Sequence, residues 1–134
     1  MKRLSDRTLR FQTDKQTRKQ TMPHYLTELY SAKPAWLALS RQGRQQFFTA
    51  IGSAMPALTA LGVELITFGK VDQSKLHAAS QTFFAVWRCP DATALEALVS
   101  GIAQSGWHEY FDTINAGGKG TDFAGHLTQL GEAA

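Results

Sequence analysis

Four side chains with acid, base or anion-binding chemistry occur in two β-rich stretches of the sequence. His24, Glu28 and Tyr30 lie in the first stretch, and Arg88 ends a later one. Because alternate residues of a strand project to one face, we expect these side chains on a common face of a sheet. His24 and Glu28 would lie about 13 Å apart on a strand that rises ~3.3 Å per residue, so they form no direct pair.

A second group of capable side chains is the run from Trp107 to Tyr110, which contains His108 beside Glu109. A histidine beside a carboxylate can act as acid or base. Adjacent residues on a strand point to opposite faces, so this pair cooperates only where the backbone is irregular. The residues predicted as candidates for catalysis are His24, Tyr30, Arg88 and His108.

Aromatic walls with a few polar groups are typical of sites for small planar or phenolic ligands. The residues predicted to line such a pocket are Glu28, Phe68, Phe84, Trp107 and Tyr110. The alternative is that the polar residues form a solvated rim and the aromatic residues form core or interface. We interpret His77 and His126 as surface residues of a loop and a terminal helix.

The sequence contains fragments of cofactor motifs, but each is incomplete. His108 and Glu109 begin a His-Glu-x-x-His zinc motif, yet Asp112 occupies the position of the second histidine. The run Gly117–Thr121 is similar to a phosphate loop, but Thr113 stands where the leading glycine is required. We therefore predict a glycine-rich turn, no metal site and no cofactor.

Two further residues, Cys89 and Pro23, could act as a nucleophile or a base. Cys89 is followed by Pro90 and no neighbouring base is fixed by the sequence, so a passive, half-buried thiol is the simpler interpretation. If translation began at Met22 and that residue were removed, Pro23 would become a free amino-terminal proline, which tautomerases use as a base. An initiator followed by proline is common for processing reasons alone, so we give this alternative little weight.

Positive charge is concentrated at the amino terminus. Residues 1–21 hold seven basic and two acidic residues, a net of +5, whereas residues 22–134 carry a net of −2. The basic stretch lacks the apolar run of a secretory signal, and no nucleic-acid-reading motif accompanies it. Because Met22 directly precedes the first strand-like run, we predict a dispensable extension or a misassigned start, and a protein that does not bind nucleic acid.

The remaining pattern predicts one domain over residues 22–130, followed by a tail of residues 131–134. Helix signals include Ser40 and Asp91 as N-caps and Pro56 as a kink or break. The predicted elements are a strand at His24–Tyr30, a helix after Ser40, strands at Val63–Lys70 and Gln81–Arg88, a helix after Asp91, a strand or irregular wall at 107–115, and a short terminal helix. This β-α-β-β-α-(β) order is that of a ferredoxin-like α+β fold, with two helices on one face of an antiparallel sheet.

Both faces of the predicted sheet are apolar, although two helices can cover only one of them. One face is predicted to hold Tyr25, Leu29, Val63, Leu65, Phe83, Ala85 and Trp87. The other is predicted to hold His24, Leu26, Glu28, Tyr30, Ile66, Phe68, Phe84, Val86 and Arg88. A second copy of the chain is the commonest cover for such a patch, so we predict a homodimer.

Three strings in this arrangement are similar to known proteins: His24–Tyr30, Phe83–Arg88 and Gly106–Phe111. The whole resembles the dimeric α+β barrel superfamily, which includes cofactor-independent quinol monooxygenases, muconolactone isomerase-like proteins and YCII-like proteins. More narrowly, residues 22–130 resemble an uncharacterised bacterial family of this fold. The resemblance implies a dimeric barrel and carries no reaction with it.

Three functions remain open at this point. The first is a small-molecule-binding protein without chemistry, and the second is a cofactor-independent enzyme acting on a small aromatic or lactone-like metabolite. The third is a structural dimer with no pocket. A single cysteine, a mean hydropathy of −0.23 and the absence of long apolar runs favour a cytoplasmic protein outside the membrane.

Overall fold

The computed structural model describes residues 22–134, so the predicted basic extension, residues 1–21, lies outside the described residues. The strands are β1 (His24–Ala32), β2 (Glu64–Lys70), β3 (Phe83–Cys89) and β4 (Phe111–Lys119). The helices are α1 (Pro34–Leu37), α2 (Arg41–Ala60), α3 (Ala92–Gln104), α4 (Trp107–Tyr110) and α5 (Phe123–Gly131).

The four strands form one antiparallel sheet in the order β2-β3-β1-β4. The two central strands, β1 and β3, are separated in sequence by α2 and β2, which is the split arrangement of a ferredoxin-like unit. The predicted α+β ferredoxin-like fold is therefore confirmed.

The two long helices begin at the residues that the sequence indicated. Ser40 Oγ accepts a hydrogen bond from the Gly43 amide at 3.0 Å, and Asp91 Oδ1 accepts one from the Ala94 amide at 2.8 Å. Each cap satisfies a backbone donor that the first helical turn leaves free. Pro56 lies inside α2, and the helix continues through it as a single element. The prediction that Pro56 could divide this helix is wrong.

The core lies between the sheet and the helices. Leu26 of β1 and Leu98 of α3 are fully enclosed, and Trp87 of β3 packs with them. The other buried members of this cluster are Val63, Ala85, Cys89 and Ala94. We call the side of the sheet that packs against this layer the closed face, or closed side.

The register of the sheet overturns the predicted membership of its two faces. Leu26 lies directly opposite Trp87, and Tyr25 lies directly opposite Arg88. Because directly opposed residues of an antiparallel pair share a face, His24, Leu26, Glu28 and Tyr30 face the helices together with Cys89, Trp87, Ala85 and Phe83. The alternation within β1 and β3 was predicted correctly, but the relative phase of the two strands was wrong by one residue.

The two long helices, α2 and α3, pack on the other side and leave the opposite face of the sheet uncovered. Its members include Tyr25, Leu29, Phe84, Val86 and Ile114, and we call it the open face. Ile114 is 55% exposed and Tyr25 is 37% exposed. An uncovered apolar face is therefore present, as the sequence predicted, although its residues differ from those expected.

The segment after α3 is both helical and extended. Gly106 adopts a left-handed backbone at φ 84°, which glycine tolerates best, and the chain then forms the single turn α4. The strand β4 begins at Phe111 and ends at Lys119. The sequence left two possibilities for residues 107–115, a fourth strand or an irregular wall. The structure shows a helical turn followed by a strand.

The described helices are all too short or too polar to cross a lipid bilayer.

Two glycines provide a matched test of the packing. A Cβ at Gly117 would lie 2.7 Å from the carbonyl oxygen of Tyr25, whereas a Cβ at Gly52 would meet no atom within 4 Å. We expect Gly117→Ala to lower the free energy of unfolding by about 1–3 kcal/mol, and Gly52→Ala to raise it by up to about 1 kcal/mol. Urea denaturation measures both, and equal effects of the two substitutions would contradict the packing described.

Candidate functional site

The structure divides the predicted site residues between the two faces of the sheet. His24, Glu28 and Tyr30 face the helices, whereas Arg88 lies on the open face, where it forms an ion pair with Glu64. The prediction that all four share one face is therefore wrong, because it assumed the shifted register.

The predicted pocket-lining residues are also separated. Phe84 belongs to the open face, and Phe68 lies on the edge strand β2 opposite Ala85, where it is 60% exposed. Tyr110 packs against Trp36 and Phe47 of the helical layer. The predicted residues that come together on the closed side are Glu28, Tyr30 and Trp107.

Glu28 is a carboxyl group in the interior of the protein. The residue is 3% exposed, and its Oε1 accepts a hydrogen bond of 2.6 Å from the indole Nε1 of Trp87. Burial raises the pKa of Glu28 above its ordinary value; the bond from Trp87 and the charge of His108 act in the opposite direction and are smaller. The carboxyl group is therefore more easily protonated than a glutamate in water.

Tyr30 lies two residues further along the same face of β1. Its ring contacts Trp107 edge-on at a centroid distance of 5.0 Å, and it packs against Phe83 and Phe111 at 5.7 Å each. Burial and the nearby charge of Glu28 raise the pKa of Tyr30, so its hydroxyl group stays protonated near neutral pH. The aromatic rings and the Glu28 carboxyl form what we call the Glu28 site, with the members Glu28, Tyr30, Trp87, Trp107 and Thr113.

The turn α4 positions Trp107, one member of the Glu28 site. Trp107 stacks on Phe111 at 4.2 Å, and its Nε1 donates a hydrogen bond of 3.1 Å to Thr113 Oγ1. Lys33 Nζ donates to the carbonyl oxygen of His108 at 3.1 Å, which ties α4 to the start of α1. The His108 side chain is exposed, while its charge still acts on Glu28.

Glu28 has an exposed neighbour on β4. Asn115 is the cross-strand neighbour of Glu28 on the same face, and it is exposed. Glu28 is buried, whereas its neighbour on β4 is in contact with solvent.

His24 and Cys89 lie directly opposite each other at one end of the closed face. His24 Nδ1 is buried and has no hydrogen-bond partner among residues 22–134. Cys89 is fully enclosed, and burial, with a smaller contribution from Asp91, raises the pKa of its thiol. A raised thiol pKa disfavours the nucleophilic thiolate. Within the described chain, no three His, Cys, Asp or Glu side chains are grouped to hold a metal ion.

A shallow groove of about 390 Å³ lies at the same end of the sheet, beside Tyr25 of the open face, and it was not predicted from the sequence. It runs between Tyr25, the glycine-rich segment Gly117–Thr121, and His126 and Gln129 of α5. The prediction of a turn over this whole segment is wrong, because its first three residues belong to β4. His126 Nδ1 and Gln129 Oε1 are hydrogen-bonded to each other at 2.9 Å. The only sequence signal for this groove is the cluster of glycines, which we interpreted as a turn.

The sequence profile of a family of unknown function, DUF6616, matches residues 23–133. The chain belongs to this family. No protein with a curated description matches it.

Solved structures share the fold of this DUF6616 member at low sequence identity. TA0507, a candidate chlorite dismutase, superposes with a TM-score of 0.57 at 15% identity, over 82% of this chain and 48% of that one. A protein of unknown function from Rhodopseudomonas palustris, RPA0582, gives a TM-score of 0.52 at 13% identity, over 76% and 85% of the two chains. Its methylated form gives 0.55, also at 13% identity, over 76% and 83%. These similarities show the fold.

The buried carboxyl gives a testable pH dependence. Because the pKa of Glu28 is higher in the folded state than in the unfolded state, the folded protein binds more protons between the two pKa values, and stability falls as the pH rises through that window. The Glu28→Gln variant lacks this titration and keeps an oxygen acceptor for Trp87. We expect it to be more stable than the wild type at pH 8, by about 1.4 kcal/mol for each unit of raised pKa, with the difference shrinking toward pH 4.

Chemical denaturation across this pH range measures the difference. Glu96→Gln makes the same change at an exposed position of α3 and should show no such trend. A Glu28→Gln effect that grows as the pH falls would contradict the raised pKa.

Proposed function

We propose that this protein binds a small organic molecule at the Glu28 site, with the carboxyl group of Glu28 as the polar anchor. The observation that carries the proposal is the burial of Glu28 with one indole donor as its hydrogen-bond partner among the described residues. A buried carboxyl group without a cationic partner costs stability. An apolar residue or glutamine at this position would avoid that cost, so a role in binding is the simplest reason for a carboxyl group here.

The surroundings of Glu28 favour an uncharged planar ligand. Tyr30 and Trp107 supply aromatic surfaces beside the carboxyl group. A protonated Glu28 donates a hydrogen bond to a carbonyl or hydroxyl oxygen, and an ionised Glu28 accepts one from a phenol. An anionic ligand would be repelled by the ionised form. Phenols, quinols and small lactones fit these requirements.

A second candidate function is proton transfer on the same ligand class. The observation that favours it is the position of two groups with raised pKa, Glu28 and Tyr30, two residues apart on one face. A carboxyl group with a raised pKa can act as an acid or base near neutral pH. In this version Glu28 exchanges the proton with the substrate, and Tyr30 holds the substrate oxygen.

We propose that the protein works as a homodimer through its open face. The uncovered side chains of Leu29, Val86 and Ile114 form an apolar strip across the central strands and β4. Large uncovered apolar patches on a soluble domain mark contact surfaces, and a two-fold pair buries the same patch on both copies. The closed side would then remain free for the ligand.

Ligand binding can be tested by calorimetric titration with phenol, hydroquinone and γ-butyrolactone. We expect at least one of these probes to bind the wild type, and Glu28→Gln to weaken its affinity at least tenfold. The control Glu96→Gln should bind with wild-type affinity. Undiminished binding by Glu28→Gln would overturn the assignment of Glu28, and failure of all three probes would overturn the proposed ligand class.

Tyr30→Phe separates the two candidate functions. If the protein only binds, this variant keeps the aromatic wall and should lose less than tenfold in affinity for the probe that binds the wild type. Replacement of carbon-bound hydrogens of that probe by deuterium, followed by NMR in deuterated water, would reveal proton transfer, because hydroxyl hydrogens exchange with water without a catalyst. Exchange catalysed by the wild type and lost in both Tyr30→Phe and Glu28→Gln supports the enzyme, whereas its absence in the wild type excludes this reaction on that probe.

The dimer can be tested with one charge on the open face. Ile114→Glu would place carboxylates of both copies in an apolar contact, so we expect a dimer of the wild type and a monomer of the variant by light scattering after gel filtration. Gln46→Glu adds the same charge at an exposed position of α2 and should leave the mass unchanged. A monomeric wild type would overturn the proposed assembly.

A further inference from the structure

The side chain of Thr113 contacts the one polar atom of the Trp107 side chain. The indole Nε1 of Trp107 donates a hydrogen bond of 3.1 Å to Thr113 Oγ1, and the hydroxyl group of Thr113 donates to the carbonyl oxygen of Phe111 at 3.4 Å. Both bonds are partly buried. Because an indole has a single hydrogen-bond donor and no acceptor, Thr113 satisfies the whole hydrogen-bonding capacity of this side chain.

The hydrogen bond fixes a feature of Trp107 that its ring contacts leave open. The ring is edge-on to Tyr30 at 80° and stacked on Phe111 at 26°. Such contacts define the plane of a ring, but a half-turn about the Cβ–Cγ bond keeps that plane and carries Nε1 to the opposite side. The bond to Thr113 is directional, so it selects one of these two orientations.

Thr113 belongs to the sheet, whereas Trp107 belongs to a short connection. Thr113 pairs with Tyr30 of β1, so both side chains lie on the closed face with their Cβ atoms about 5 Å apart. Trp107 follows Gly106 at the start of α4, a turn of four residues that buries none of them. Groups on strands are held more precisely than groups on connecting segments. The hydrogen bond therefore anchors the Trp107 ring to the strand beside Tyr30.

We propose that Thr113 is a positioning residue of the Glu28 site, which holds the Trp107 indole in the orientation that the ligand contacts. This inference rests on the binding function proposed above and adds the residue that orients its aromatic surface. Because Thr113 occupies the indole N–H, Trp107 offers the ligand only its ring surface, and the polar contacts of the ligand fall to Glu28 and Tyr30. Loss of the Thr113 hydroxyl group leaves a partly buried donor without its partner.

The orientation of the indole can be tested in the free protein. Thr113→Val keeps the shape of the side chain and removes its hydroxyl group, whereas Thr113→Ser keeps the hydroxyl group. In ¹⁵N–¹H NMR spectra we expect the Trp107 indole proton to move upfield and to exchange faster with water in Thr113→Val, and to stay near its wild-type position in Thr113→Ser. Thr67→Val makes the same change at an exposed position of β2 and should leave this signal in place. An unchanged Trp107 signal in Thr113→Val would overturn the positioning role.

Calorimetric titration then connects the orientation of the indole to binding. With whichever of phenol, hydroquinone and γ-butyrolactone binds the wild type, we expect Thr113→Val to weaken the affinity at least about fivefold, and Thr113→Ser to stay within about twofold. Thr67→Val should bind with wild-type affinity. If Thr113→Val displaces the indole signal but keeps wild-type affinity, this inference fails and the proposed function stands. If no probe binds the wild type, both fail.

Thr113→Ala provides a second variant without the hydroxyl group, and it is matched to Thr113→Ser because both lack the methyl group. Circular dichroism identifies the variants that keep the wild-type fold. We expect Thr113→Ala to displace the Trp107 indole signal and to weaken the affinity as Thr113→Val does. Equal affinities of Thr113→Ala and Thr113→Ser would overturn the inference, because the hydroxyl group would then have no part in binding.

Discussion

The register between β1 and β3 is the constraint on which the rest of the structure depends. It places Leu26 opposite Trp87, and with that single choice Glu28 is turned into the interior and Arg88 is turned away from it. A shift of one residue would turn one of the two strands over, exposing either Leu26 or Trp87 and disrupting the core. The burial of Glu28 is thus a consequence of the same register that forms the hydrophobic core.

The helical layer completes the surroundings of that buried carboxyl group. The bond from Trp87 holds Glu28, and the turn at α4 brings Trp107 against Tyr30 and Phe111. The contacts of Glu28 with Trp87 and of Tyr30 with Trp107 join distant parts of the chain, so this arrangement exists only in the folded domain. In the proposed dimer the two faces of the sheet have different roles. The open face would contact the second copy, and the closed face would hold the ligand.

The sequence predicted the order of the elements and failed on the relative phase of the strands. Caps at Ser40 and Asp91 were readable because they are local hydrogen bonds, and the alternation of each strand was readable for the same reason. The register of β1 against β3 depends on chain connections of some fifty residues, and a bulge between Leu65 and Thr67 breaks the alternation in β2. Glu28 was identified from its residue type alone, whereas its bond to Trp87 needed the folded chain.

A ¹³C NMR titration of the Glu28 side-chain carboxyl, recorded free and with hydroquinone, tests both the burial of this group and its contact with a ligand. We expect a midpoint above the ordinary value for glutamate, about 4.3, in the free protein, and a displaced midpoint when the probe is present. A midpoint at or below the ordinary value that the probe leaves unchanged would contradict both, because Glu28 would then be neither desolvated nor in contact with the ligand.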